Sequence, residues 1–92
     1  MIQPQEKLEI IASYLAEQIS ESNVQIQPFQ EASPVYELII KTPKRQHRLG
    51  VCRPLIEDQN HSLNKVRALL LRDNLAREVQ AFDREEYYWA PV

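Results

Sequence analysis

The chain has 92 residues, a formal net charge of −2 and 43% apolar residues, so it has the size of one small domain and enough apolar side chains for a core. A single cysteine excludes an internal disulfide, and the longest purely apolar run, Ala68 to Leu71, is too short to span a membrane. The first residues show no secretion signal. We therefore predict one domain over residues 1–92, a cytoplasmic location and no membrane partner.

The charges are segregated along the chain. Residues 1–40 carry a net charge of −5, residues 41–53 carry +5, and residues 54–92 carry −2. The acidic balance of the whole chain argues against non-specific binding to nucleic acid, whereas the basic stretch favours an anionic partner. Pairing of the basic stretch with the acidic segments of the same chain is the alternative.

The first predicted element is an amphipathic helix over residues 5–22, with Pro4 in its first turn and Asn23 as the left-handed residue that ends it. Apolar residues spaced three and four apart form one stripe of this helix. They are Leu8, Ile11, Ala12, Leu15 and Ile19.

Three strands are predicted next. Residues 24–27 alternate and form a first strand that Pro28 limits to a sheet edge. The stretch 35–53 alternates twice around a connection at 42–46 and predicts a hairpin. Pairing Ile40 with Leu49 puts apolar side chains on one face, but it also sets Lys41 against Arg48. We interpret these charges as protection of an edge against aggregation, with an anion site as the alternative.

A long apolar face from Leu63 to Phe82 predicts a helix within residues 60–86, and Asp58, Asn60 and Ser62 are its candidate N-caps. Asp73 and Asn74 can interrupt it, so its continuity stays open. The sequence thus predicts a two-layer α+β domain of order α-β-β-β-α, in which two helices cover one face of a three-stranded antiparallel sheet.

This element order is similar to that of double-stranded RNA-binding domains. Those domains open their second helix with a lysine cluster that grips phosphates. The corresponding stretch here, residues 62–67, offers only Lys65 and Arg67. We therefore assign the chain to no family.

No catalytic group, cofactor or metal site is predicted. His47, Cys52 and His61 lack a familiar ligand spacing, and the single glycine, Gly50, lies inside a strand and cannot form a phosphate-binding loop. We therefore expect a protein that is not an enzyme.

Two functional hypotheses remain. The first is a protein-interaction or regulatory module that associates with itself or an unidentified protein through the open sheet face or the aromatic C-terminal tail, unless that tail folds back onto the core. Its candidate interface residues are Ile39, Tyr87, Tyr88 and Trp89. The alternative is binding of nucleic acid or another polyanion by the hairpin 41–53. Its candidate residues are Lys41, Lys44, Arg45, His47, Arg48 and Arg53.

Overall fold

A computed structural model of the chain describes residues 2–82 and 84–91. The elements are α1 (Pro4–Gln18), β1 (Asn23–Ile26), β2 (Val35–Lys41), β3 (Gln46–Cys52), α2 (Arg53–Glu57), α3 (Leu63–Asp73), α4 (Leu75–Ala81) and β4 (Glu86–Trp89). Within the described ranges, no helix combines the length and the apolarity that crossing a membrane requires.

The sheet has four strands in the order β1-β2-β3-β4. β1, β2 and β3 pair antiparallel, and β4 pairs parallel to β3. The predicted α+β class is confirmed, but the prediction of a three-stranded antiparallel sheet is wrong because the aromatic tail forms a fourth strand. The tail has the aromatic side chains that suit strands. Its partner lies far upstream, however, and no local pattern reveals a pairing over that distance.

The helices pack on one face of the sheet around one apolar cluster. Alternate residues of the strands supply its sheet side, among them Leu38, Ile40, Leu49 and Val51, which are fully buried. Trp89 of β4 also belongs to this cluster with 3% of its surface exposed, and its Nε1 donates a hydrogen bond of 2.9 Å to Asp73 Oδ2. Burial of the ring together with its one polar atom fixes β4 against the end of α3.

The register of the hairpin differs from the predicted one by two residues. Leu38 lies opposite Leu49, and Ile40 lies opposite His47 rather than Leu49. A shift of two residues leaves each side chain on its predicted face, because side chains alternate with a period of two. It does remove the predicted contact between like charges, since Arg48 lies opposite Ile39.

Two residues with positive φ shape the connections. Asn74, at φ 48°, separates α3 from α4, so the apolar stretch after residue 60 is not one continuous helix. Glu21, at φ 57°, is the left-handed residue after α1. The prediction that Asn23 takes this role is wrong, because Asn23 is already the first residue of β1.

Lys7 of α1 is fully buried, which the sequence pattern did not indicate. Its Nζ donates hydrogen bonds of 2.8 Å to the carbonyl oxygens of Leu55 and Asp58. Burial lowers the pKa of Lys7, and the nearby carboxylate of Asp58 partly opposes this shift. Lys7 therefore satisfies carbonyl groups at the C-terminal end of α2 and joins that short helix to α1.

Replacing Trp89 by alanine should destabilise the fold rather than merely change its surface. We expect a loss of about 3–5 kcal/mol in the free energy of unfolding, as for other buried large aromatic residues. Tyr88→Ala is the matched control, because Tyr88 is the exposed neighbour and should cost about 0.5 kcal/mol. Urea unfolding followed by circular dichroism measures both losses. Tryptophan fluorescence is unsuitable, because Trp89 is the only tryptophan and Trp89→Ala removes it. Equal losses in the two variants would contradict a buried β4.

Candidate interaction surfaces

Three of the six predicted anion-binding residues lie exposed at the end of the β2–β3 hairpin. They are Lys41, Lys44 and Arg45. None of them makes an ion pair with any residue in the described part of the chain. This hairpin end, defined by the three residues, is the surface where uncompensated positive charge is concentrated.

Arg48 has a different environment, on the sheet face that carries no helix. Its Nη1 lies 3.1 Å from Glu86 Oε1, and its Nε lies 3.6 Å from Glu37 Oε2. The two carboxylates outnumber the single guanidinium, so this part of the open face is slightly acidic. It does not extend the positive surface of the hairpin end.

Arg53 holds the β1–β2 connection against α2. Its Nη2 lies 3.1 Å from Glu57 Oε2, its Nη1 donates to the Glu31 carbonyl oxygen at 2.9 Å, and its guanidinium stacks 4.8 Å above the centre of the Phe29 ring. Tyr36 also donates to Glu57 Oε2, at 2.8 Å. Hydrogen bonds from Arg53 and Tyr36 lower the pKa of Glu57, while burial and Glu57 raise the pKa of Tyr36 to about 12.

His47 points into the core side of the sheet and is only 3% exposed. Its Nδ1 has no hydrogen-bond partner among the described residues. Burial, and secondarily the charge of Arg45, lower the pKa of His47. The burial of His47 could have been predicted from the alternation of the strand, because His47 shares its parity with the core residues Leu49 and Val51.

Of the four predicted interface residues, only Tyr88 is mostly exposed, at 57%. The expectation that Ile39 is exposed is wrong: it is 7% exposed, and the β1–β2 connection and Arg48 line the same depression. Trp89 lies in the core. Tyr87 is half-buried on the core face, where its ring packs edge-on against Phe82 with centroids 5.3 Å apart.

Tyr88 lies above Gly50 on the open face. A Cβ atom at Gly50 would stand 3.2 Å from Val35 Cγ2 and 3.5 Å from Tyr88 Cδ2, so the missing side chain lets these two residues approach over the strand. With Glu37, Arg48 and Glu86 they line a depression of about 380 Å³. The outer edge of this surface is β4, the last strand of the sheet.

A second surface, which the sequence analysis missed, is a groove of about 670 Å³ between α1 and α3. Its apolar lining includes Leu71, which is 72% exposed. Among the described residues, Leu71 and Tyr88 are the large apolar side chains that are mostly exposed. The run of three leucines at 69–71 was the available signal, because consecutive residues of a helix cannot all face one core.

No protein-family model, curated protein or solved structure matches the chain with significant similarity. Within residues 2–82 and 84–91, no three His, Cys, Asp or Glu side chains are grouped closely enough to hold a metal ion.

The buried His47 should make stability depend on pH. Its pKa in the folded chain lies below the ordinary value of 6.5, so the unfolded chain takes up the proton first as the pH falls. We expect the free energy of unfolding to decrease below pH 6.5 by up to about 1.4 kcal/mol per pH unit. His47→Gln should remove this slope. Urea titrations between about pH 7.5 and 5.5 measure it.

The charged residues near His47 are Glu21, Lys44 and Arg45, which line the same depression, and they stay in place in the variant. His61→Gln is the matched control, because it removes the other histidine. A pH dependence of stability that persists in His47→Gln and vanishes in His61→Gln would contradict the prediction, because it would assign the effect to His61.

Proposed function

We propose that the chain is a small non-enzymatic protein-interaction module that associates with a second copy of itself through the open sheet face and the edge of β4. The observation that carries this proposal is Tyr88, an aromatic residue that is 57% exposed on the sheet face without helices. Tyrosine is enriched at the centres of protein interfaces, because it combines a large apolar ring with a polar end.

The edge of β4 supports the proposal. β4 pairs with β3 on one side only, so every second backbone N–H and C=O group of residues 86–89 points away from the sheet. An antiparallel arrangement of two β4 strands about a two-fold axis pairs these groups and continues the sheet into the second copy. Such an interface is isologous and brings the same Tyr88 surface of both copies together.

Charge opposes this arrangement only weakly, because Arg48 offsets one of the two carboxylates, Glu37 and Glu86, on the open face of each copy. Glu86 is the acidic residue of the edge strand, and Arg48 Nη1 lies 3.1 Å from its carboxylate. The four residues of β4 span roughly 13 Å of edge. Edge pairing of this length belongs to the small interfaces, below about 1,200 Å² of total buried area, that are characteristic of transient association.

We expect the molar mass to rise from one chain toward two over roughly micromolar to millimolar protein concentration. Tyr88→Glu should abolish this rise, because it places a buried charge at the centre of the interface. Leu71→Glu is the matched control: it also introduces an acid at an exposed apolar position, but on α3. Sedimentation equilibrium measures the mass. One chain at all concentrations, or a rise that Tyr88→Glu leaves unchanged, would refute the proposal.

The alternative function, polyanion binding, has one specific observation in its favour. Lys41, Lys44 and Arg45 are exposed together at the hairpin end and form no ion pairs in the described part of the chain. The other three candidates contribute less, because Arg48 and Arg53 are paired with acids and His47 is buried. Three phosphate contacts predict a modest salt dependence, with a slope of about −2.7 in log–log form on duplex DNA.

Under this alternative, the affinity for labelled duplex DNA should fall by roughly 40-fold between 50 and 200 mM salt. The variant Lys41→Glu/Lys44→Glu/Arg45→Glu should not bind. Lys65→Glu/Arg67→Glu, which reverses exposed charges at the start of α3, should bind like the wild type. Anisotropy titrations measure all three proteins. No binding at low salt would eliminate polyanion binding and leave self-association as the only candidate.

A further inference from the structure

We infer that the groove between α1 and α3 is a docking site for a basic amphipathic helix of another protein. The groove runs along α1 from Glu6 to Gln18 and is bounded on the other side by α3. This length of α1 corresponds to roughly 18 Å, which accommodates three turns of a third helix. Two packed helices with a groove between them present ridges of side chains, and a third helix can pack against these ridges.

Part of the lining of the groove is apolar. Leu70 is buried in the core, whereas the adjacent Leu71 is 72% exposed and borders the groove together with Ile10 and Leu63. Tyr14 is fixed at the same surface, because its hydroxyl oxygen accepts a hydrogen bond from the Ala76 N–H at 3.2 Å. These side chains present a preformed apolar surface of the kind that leucines spaced three and four apart can contact.

The rim of the groove is acidic. Glu6, Glu9 and Glu17 line it from α1, and Arg67 is the one base among its lining residues. Arg67 donates to Asn64 Oδ1 at 3.0 Å, which holds it on α3. The rim therefore carries a net negative charge on its α1 side and selects a partner with Lys or Arg on the side of its apolar stripe that faces α1, whereas anionic membranes and nucleic acids are repelled.

This surface is separate from the proposed self-association surface. Leu71 lies on a helix of the layer that covers one sheet face, and Tyr88 lies on the other sheet face. A chain that uses both surfaces joins two copies through their sheets and leaves each groove free for a partner. The inference goes beyond the proposed function and does not require it.

The test uses the full chain and a labelled amphipathic peptide of about 14 residues, with leucines at helical spacing and lysines along one flank of the leucine stripe. We expect saturable binding at micromolar peptide concentrations in fluorescence anisotropy. Leu71→Glu and Glu9→Lys should each weaken it at least about tenfold. Both positions are exposed, so the thermal midpoints of the variants should match the wild type. Tyr88→Glu should bind like the wild type.

A second peptide, in which glutamates replace the lysines, separates recognition from simple hydrophobic adhesion. It should bind at least about tenfold more weakly than the basic peptide. Equal binding of the two peptides, equal binding by Leu71→Glu, or no binding of the basic peptide would overturn the inference. Self-association that Leu71→Glu abolishes would also overturn it, since a second copy would then occupy the groove. The molar mass of Tyr88→Glu in sedimentation equilibrium tests the proposed self-association independently of peptide binding.

Discussion

The parallel pairing of β4 with β3 is the constraint that organises the rest of the molecule. A parallel strand cannot follow its neighbour through a tight turn, so the chain must cross the sheet before it returns. The segment between β3 and β4 makes this crossing, and α2, α3 and α4 all belong to it. Because these helices cross on the same face as α1, every helix shares one apolar cluster with the sheet. The opposite face remains without a helix and becomes available for contacts.

Polar contacts at its two ends hold α2 in place. This helix has 5 residues, too few to be stable alone. Its first residue, Arg53, pairs with Glu57 and reaches the β1–β2 connection, while Lys7 of α1 binds carbonyl oxygens at its other end. The Lys7 contacts satisfy carbonyl groups that would otherwise be buried without partners, whereas the Arg53 contacts lie at the surface. One short helix thus connects α1, the sheet and the β1–β2 connection, and its carbonyl groups hold the buried Lys7.

Local patterns predicted much of the fold but little of the interaction surfaces. Alternation assigned most of the hairpin side chains to the correct faces, and helical spacing located α1, because both signals lie within a few neighbouring residues. Cys52, expected on the open face, belongs instead to the core cluster. β4 was missed because Glu86 pairs with Arg48, 38 positions away. The ion pair between Arg48 and Glu86 was missed for the same reason, because the two residues are far apart in the sequence. Ile39 was expected to be exposed because alternation identifies a face, whereas a connection folded over that face is a tertiary feature. The α1–α3 groove likewise exists only once the two helices meet.

The spacing of the strand pairs along the chain also sets an order of assembly. The nearest partners in the β2–β3 hairpin, Lys41 and Gln46, are 5 residues apart, whereas each pair between β3 and β4 spans 38. Closing the longer loop costs about 2 kcal/mol more in chain entropy. We therefore expect the hairpin to form first and β4 to add last to a sheet that already exists. Before β4 adds, one edge of β3 has no partner strand. β4 of another molecule can pair with this edge as well as β4 of the same chain can. Strand exchange between molecules during folding is the characteristic hazard of this topology.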